Sequence, residues 1–181
     1  MEVTQLDLQG LVLIRPRVFN DTRGWFLESY NAARYAEAGV VDRFVQDNHS
    51  RSAQGTLRGL HYQEHPGQSK LVSVAVGRIL DVAVDIRPAS PTFGKWTSVE
   101  LDADTHAQLY IPIGFAHGFC VLSDVAEVMY KVSSLFDAGQ ERTLSWDDPE
   151  IGVVWPVESP VLSARDCQGE SFAAYRQRVK T

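Results

Sequence analysis

Cysteine is scarce in this chain of 181 residues: Cys120 sits in an apolar, strand-like run and Cys167 follows Asp166 in a polar loop. Two cysteines in such different settings read as free thiols of a reducing compartment, which points to a cytoplasmic protein. No apolar run approaches the roughly 20 residues of a membrane helix. The longest, such as Val72 to Val76, have the length of a strand. The opening Met1-Glu2-Val3-Thr4-Gln5-Leu6-Asp7 lacks the basic-then-apolar order of a secretory leader, so none is expected. No basic block is present and the formal net charge is −6. The chain as a whole therefore repels a nucleic-acid backbone, although a local group of Arg and Lys can still hold one or two phosphates. Repeats, low-complexity tracts and linkers are also missing, which predicts one domain over 1–181, long enough to bury a core.

Helix is scarce as well. In the first 130 residues the one good segment is Ala32 to Ala38, with Asn31 as its N-cap and Gly39 as its stop. What remains is strand after strand. Leu11 to Ile14 and Trp25 to Tyr30 are extended, and Phe44 to Ser50 reads as a strand running into a loop. From position 70 onward strands recur every 8 to 12 residues or so: Leu71 to Val76, Ile79 to Ile86, Trp96 to Leu101, Ala107 to Ile111, Gly118 to Leu122 and Ala126 to Ser133. The class is all-β, a jelly roll or small barrel. Residues 134–165, rich in Trp and Pro, read as an extended wrap, and Ser171 to Val179 as an amphipathic helical tail.

The chemistry concentrates in Gly55-Thr56-Leu57-Arg58-Gly59-Leu60-His61-Tyr62-Gln63, with Lys70 opening the next strand. His61 and Lys70 flank a short loop, so hairpin pairing would bring their side chains together, unless the polar face is simply solvated. Neutral histidine can take a proton near pH 7, a tyrosine such as Tyr130 can return one, and Lys70 and Arg58 can hold negative charge on an enolate or a phosphate. Asp81, Asp85 and Asp166 are all candidates to orient His61. Asp81 and Asp85, four apart on an alternating strand, share one face, which is either solvated or part of a site. His49 and His106 read as loop histidines without a role.

Pro112-Ile113-Gly114-Phe115-Ala116-His117 has the Pro-x-Gly-x-x-His spacing of the second cupin motif, in which a tight turn delivers a histidine into the barrel. Many cupins bind a metal there, but Gln63 stands where a second histidine of the first motif would be, so a metal set drawn from His61, His65 and His117 is poorly supplied. A metal-free pocket is the expectation.

Together, Arg23 to Glu28, Gln46 to Ser50, Leu57 to Gln63, Lys70 to Val72, Asp81 to Arg87, Ser90 to Gly94, Ile111 to Phe119 and Trp146 to Pro149 resemble, in order and spacing, the dTDP-4-dehydrorhamnose 3,5-epimerases. The resemblance covers nearly the whole chain. It implies a cupin-type jelly-roll barrel with a short N-terminal helix and a C-terminal helical tail. It also implies an isomerase that inverts carbons 3 and 5 of dTDP-4-dehydro-6-deoxy-D-glucose without metal or other cofactor. By family motif His61 matches the general base, Tyr130 the acid, Lys70 the enolate-stabilising cation and Asp166 the carboxylate beside His61. Gln46, Asn48, Arg58, His117 and Glu141 match substrate-binding positions, as do Arg23, Phe26 and Glu28, which in this family reach the nucleotide across a homodimer with composite sites. Arg165 stands where the family usually has lysine, and a planar guanidinium makes different contacts from an ammonium. The competing readings are an enzyme inverting only carbon 3 or only carbon 5, a metal-dependent cupin enzyme, and a nucleotide-sugar binding module without chemistry.

Overall fold

The computed structural model describes residues 1–179; positions 180 and 181 of the expected 1–181 domain lie outside the described residues. Two antiparallel sheets dominate. One has six strands, in spatial order β1 (Glu2–Gln5), β2 (Val12–Arg15), β10 (Gln108–Ile111), β7 (Lys70–Val76), β12 (Val125–Val132) and β5 (Gln46–Ala53). The other has five: β13 (Glu141–Thr143), β6 (Leu57–Gln63), β11 (Phe115–Val121), β8 (Arg78–Asp85) and β9 (Trp96–Asp102). A separate two-stranded ribbon joins β3 (Val18–Asp21) to β4 (Gly24–Leu27). This is the all-β, cupin-like jelly roll that the strand spacing and the motif at His117 led us to expect.

The main core lies between the sheets. Val72, Val74, Leu109, Ile111 and Val128 of the six-stranded sheet meet Ile79, Ala83, Leu101, Phe119 and Val121 of the other. Each sheet also has an apolar outer face. Helix α1 (Ala32–Glu37) lays Tyr35 over Val12, Ile14, Leu71 and Tyr110. Helix α2 (Phe172–Arg178) lays Phe172 and Tyr175 over Val82, Val84 and Ala116, and each such ring contributes about 1.5–3 kcal/mol by leaving water. Because β11 is covered on both faces, all seven of its residues are buried and it reads as an apolar run without alternation. The helix ends follow from sequence: the Asn31 side chain accepts from Arg34 N and Gly39 takes φ +97°, while Ser171 accepts from Ala174 N.

Three expectations change. Strands β6 and β7 do not form a hairpin: both edges of β6 are taken by β13 and β11, and both edges of β7 by β10 and β12. The loop after Gln63 therefore crosses from one sheet to the other. Strand β5 runs on to Ala53, since eight consecutive residues pair with β12 from Gln46↔Val132 to Ala53↔Val125. His49 is thus a strand residue; its ring and Arg51 both bond Glu127 on the outer face. Finally, β11 begins at Phe115 and not at Gly118, so His117 is its third residue and does not precede the strand.

Residues 134–165 are mostly irregular, as expected, but include β13, which pairs with β6, and a bridge from Val161 to Thr56. Cys120 is buried, Cys167 is exposed, and both are free thiols.

Candidate active site

The geometry of the site begins with a fault in the β6–β11 ladder. His61 lies opposite His117 and Arg58 opposite Phe119, so Gly59 and Leu60 together face the single residue Gly118. This bulge lets residues three apart share a face, whereas regular pleating would set Arg58 and His61 on opposite faces. Glycine is required at 59: φ is +135°, and a Cβ there would stand 2.5 Å from Gly118 Cα and 2.9 Å from His117 O.

Between the sheets, at one end, lies a cavity of about 230 Å³. Strand β5 contributes Gln46, Asn48 and Ser50 to its wall, alternate residues of one face. Arg58 and His61 come from β6, Lys70 from β7, His117 and Phe119 from β11, and Tyr130 from β12. Gln68, Phe136, Glu141 and Arg165 complete the lining. Lys70 thus does meet His61, but across the sandwich: Nζ donates to His61 O at 3.5 Å.

Asp166 stands behind His61. A short 3₁₀ turn, Asp166–Gln168, buries its carboxylate, whose Oδ1 accepts from His61 Nε2 at 2.5 Å while Oδ2 accepts from Ser163 Oγ at 2.7 Å. Donation of Nε2–H to a carboxylate leaves the lone pair of the neutral ring on Nδ1. Burial pushes the His61 pKa down, the hydrogen bond and charge of Asp166 push it up, and the cations Lys70 and Arg165 add to the lowering; the net shift is downward. The ring is therefore neutral at pH 7 and free to accept a proton. Burial would raise the Asp166 carboxyl, but the bonds from His61 and Ser163 and the charges of His61 and Arg165 outweigh it and hold it low.

Burial also brings the Lys70 ammonium down to about 8, against the attraction of Glu141 and Asp81. The Tyr130 phenol is pushed up by burial, opposed by the Arg58 cation, so it keeps its proton at neutral pH. His117 Nε2 donates at 2.8 Å to Oδ2 of Asp81, which is fully buried. Arg165 spans the lining, ion-paired to Glu141 through one nitrogen and 3.1 Å from His61 Nε2 through another.

Several expected residues fall elsewhere. Arg23, Phe26 and Glu28 do not line this cavity: Arg23 pairs with Asp21 at the ribbon turn, Phe26 is 70% exposed, and Glu28 bonds Arg34 and Asn31. Gln63 holds the 134–137 turn through Ser134, Leu135 and Asp137. Asp81 and Asp85 are both buried, not solvated, and neither orients His61; Asp85 clasps Arg87, Ser90 and Thr92. Ser50, Gln68, Phe119 and Phe136 were not anticipated as lining. Two of them were open to the eye, since Ser50 and Phe119 lie two residues beyond Asn48 and His117 on their strands. Among the described residues no group of three or more His, Cys, Asp or Glu is arranged to hold a metal ion.

Residues 5–174 match the family described as dTDP-4-dehydrorhamnose 3,5-epimerase. The dTDP-4-dehydrorhamnose 3,5-epimerase of Shigella flexneri is 51% identical over 174 residues, covering 95% of this chain and 96% of that one. Among solved structures, the RmlC epimerase of Mycobacterium tuberculosis superposes with a TM-score of 0.95 at 39% identity, covering 99% of this chain and 92% of its own. The 3,5-epimerase of Legionella pneumophila, solved in complex with dTDP-4-keto-L-rhamnose, superposes at 0.91 with 45% identity, covering 94% and 92%.

Proposed function

The chain belongs to the dTDP-4-dehydrorhamnose 3,5-epimerase family, and on that premise we propose that it inverts carbons 3 and 5 of dTDP-4-dehydro-6-deoxy-D-glucose, with 1–181 acting as one epimerase domain. Both carbons flank the 4-keto group, which acidifies their C–H bonds. His61, neutral and held by Asp166, removes the proton from one face. The Lys70 ammonium balances charge on the enolate oxygen. The Tyr130 phenol, protonated at working pH, returns a proton from the other face; His61 then releases its proton to solvent, the Tyr130 phenolate takes one up, and the sequence repeats at the second carbon.

The observation that supports these roles is the convergence of His61, Lys70 and Tyr130 on one cavity with Asp166 directly behind His61. Gln46, Asn48, Arg58, His117, Glu141 and Arg165 line the same space and bind the sugar nucleotide. Arg23, Phe26 and Glu28 act in the site of a second copy in a homodimer. In support, the ribbon that bears them exposes Phe19, Trp25 and Phe26 at 50%, 60% and 70%, an aromatic patch suited to burial against another chain. The enzyme works in the cytoplasm.

Incubation with dTDP-4-dehydro-6-deoxy-D-glucose in heavy water tests the reaction. Deuterium at carbons 3 and 5 with the L-configured product is the expected result. Label at one carbon alone would remove the double inversion, and no label would remove the substrate assignment.

A further inference from the structure

Asp81 has no place in the roles given so far, yet it is fully buried beside the cavity. One oxygen, Oδ2, is bonded to His117 Nε2 at 2.8 Å. The other, Oδ1, has no hydrogen-bond partner among the described residues and is shut away from solvent. A buried carboxylate oxygen left in that state costs free energy unless a cation nearby offsets it. The nearby cation is Lys70. It lines the same cavity as His117, feels the Asp81 charge, and bonds His61 O only at a long 3.5 Å.

We propose that Asp81 is a positioning residue that acts through two cavity groups at once, fixing the His117 ring with one oxygen and holding Lys70 as an ammonium by the charge on the other. The inference rests on the epimerase reading for the roles of Lys70 and His117. Bonding of His117 Nε2–H to the carboxylate leaves Nδ1 as an acceptor for a substrate hydroxyl. Lys70 in turn must carry its charge to balance an enolate, although burial favours its neutral form. Glu141 on β13 is the stronger of the two anions acting on it and Asp81 the weaker, Arg165 opposes, and His61, Arg58, His117 and Tyr130 share its cavity. Glu141 is already ion-paired to Arg165, whereas Asp81 faces no guanidinium among the described ion pairs. Asp81 thus acts on Lys70 beside Glu141 with a charge that no guanidinium shares.

Asp81→Asn tests this, since the amide oxygen can still accept from His117 while the charge is gone. The 13Cε resonance of Lys70, one of four lysines in the chain, reports its titration without substrate. In the wild type the midpoint is expected near 8. In Asp81→Asn it should fall by about one unit or more, with the alkaline limb of kcat/KM falling by the same amount. Asp81→Glu, which keeps the charge, should restore both. A Lys70 midpoint unmoved in Asp81→Asn, with activity lost evenly at every pH, would overturn the proposal and leave Asp81 a structural residue. Should Asp81→Asn not fold, Asp81→Ser, which also removes the charge, decides by the same reading: a lowered Lys70 midpoint supports the proposal, and an unmoved one overturns it. Because the NMR titration uses no substrate, its outcome is separate from success or failure of the heavy-water experiment.

Discussion

Asp166→Asn changes the dyad with the least change of shape, and its effect can be worked out in sign and size. The carboxylate accepts from His61 Nε2 at 2.5 Å, and it is buried. Hydrogen bonds to charged groups contribute about 1.5–3 kcal/mol, so losing this one should lower kcat by roughly 10- to 150-fold. KM should change little, because Asp166 is not part of the cavity lining. The pH profile supplies an independent signature. Burial lowers the His61 pKa, and both the hydrogen bond and the charge of Asp166 raise it. Removing them drives the pKa further down, and an asparagine NH2 turned toward Nε2 would favour the neutral ring still more. The acid limb of kcat should therefore move to lower pH while the plateau falls, a combination that simple loss of folded protein does not produce. Deuterium wash-in rates in heavy water, followed by NMR across a pH series, measure both. An unchanged plateau, or an acid limb displaced to higher pH, would refute the idea that Asp166 orients His61 and raises its basicity.

Tyr130→Phe should slow inversion more than exchange of substrate protons with solvent, since removal and return are separate steps. Equal losses in the two rates, measured on the same samples, would mean that Tyr130 is not a dedicated acid. Lys70→Met should abolish turnover but raise stability. Burial brings the Lys70 pKa from 10.5 to about 8, net of the attraction of Glu141 and Asp81, which corresponds to a penalty of about 3 kcal/mol for the charged form. That penalty is fully present below the folded value, fades as pH rises from about 8, and is gone above the unfolded value. The gain in urea midpoint should thus be largest at neutral pH and shrink toward pH 10; a variant less stable at neutral pH would contradict the assignment of burial as the dominant cause.

Local signals in the sequence were reliable where local physics decides the structure. Asn31 and Gly39 bracket α1 because a side-chain oxygen and a left-handed residue each satisfy helix-end groups. The strand series from 70 to 133 was visible because turn residues punctuate it. Sheet membership was not visible. The short loop between His61 and Lys70 suits a hairpin, and only the competing partners of both strands, far along the chain, send them to different sheets. Strand β5 was under-read for a related reason: an edge strand with Asp47, His49 and Arg51 facing out has little apolar alternation to display.

The site shows the same division. His61, Lys70 and Tyr130 were recognisable by residue type and family order, yet their meeting depends on pairings that no window of sequence contains. Asp166 reaches His61 across 105 positions, on a segment without regular structure until its last turn. The bulge is the clearest case. Arg58 and His61 share a face only because two residues of β6 oppose one of β11, and that requires glycine at both 59 and 118, whose Cα atoms come too close for any side chain. In the sequence these appear as two glycines 59 positions apart, each readable as a weak point in a strand. Set against each other they determine which way Arg58 and His61 face, so here the residues with no side chain decide the placement of two that line the cavity.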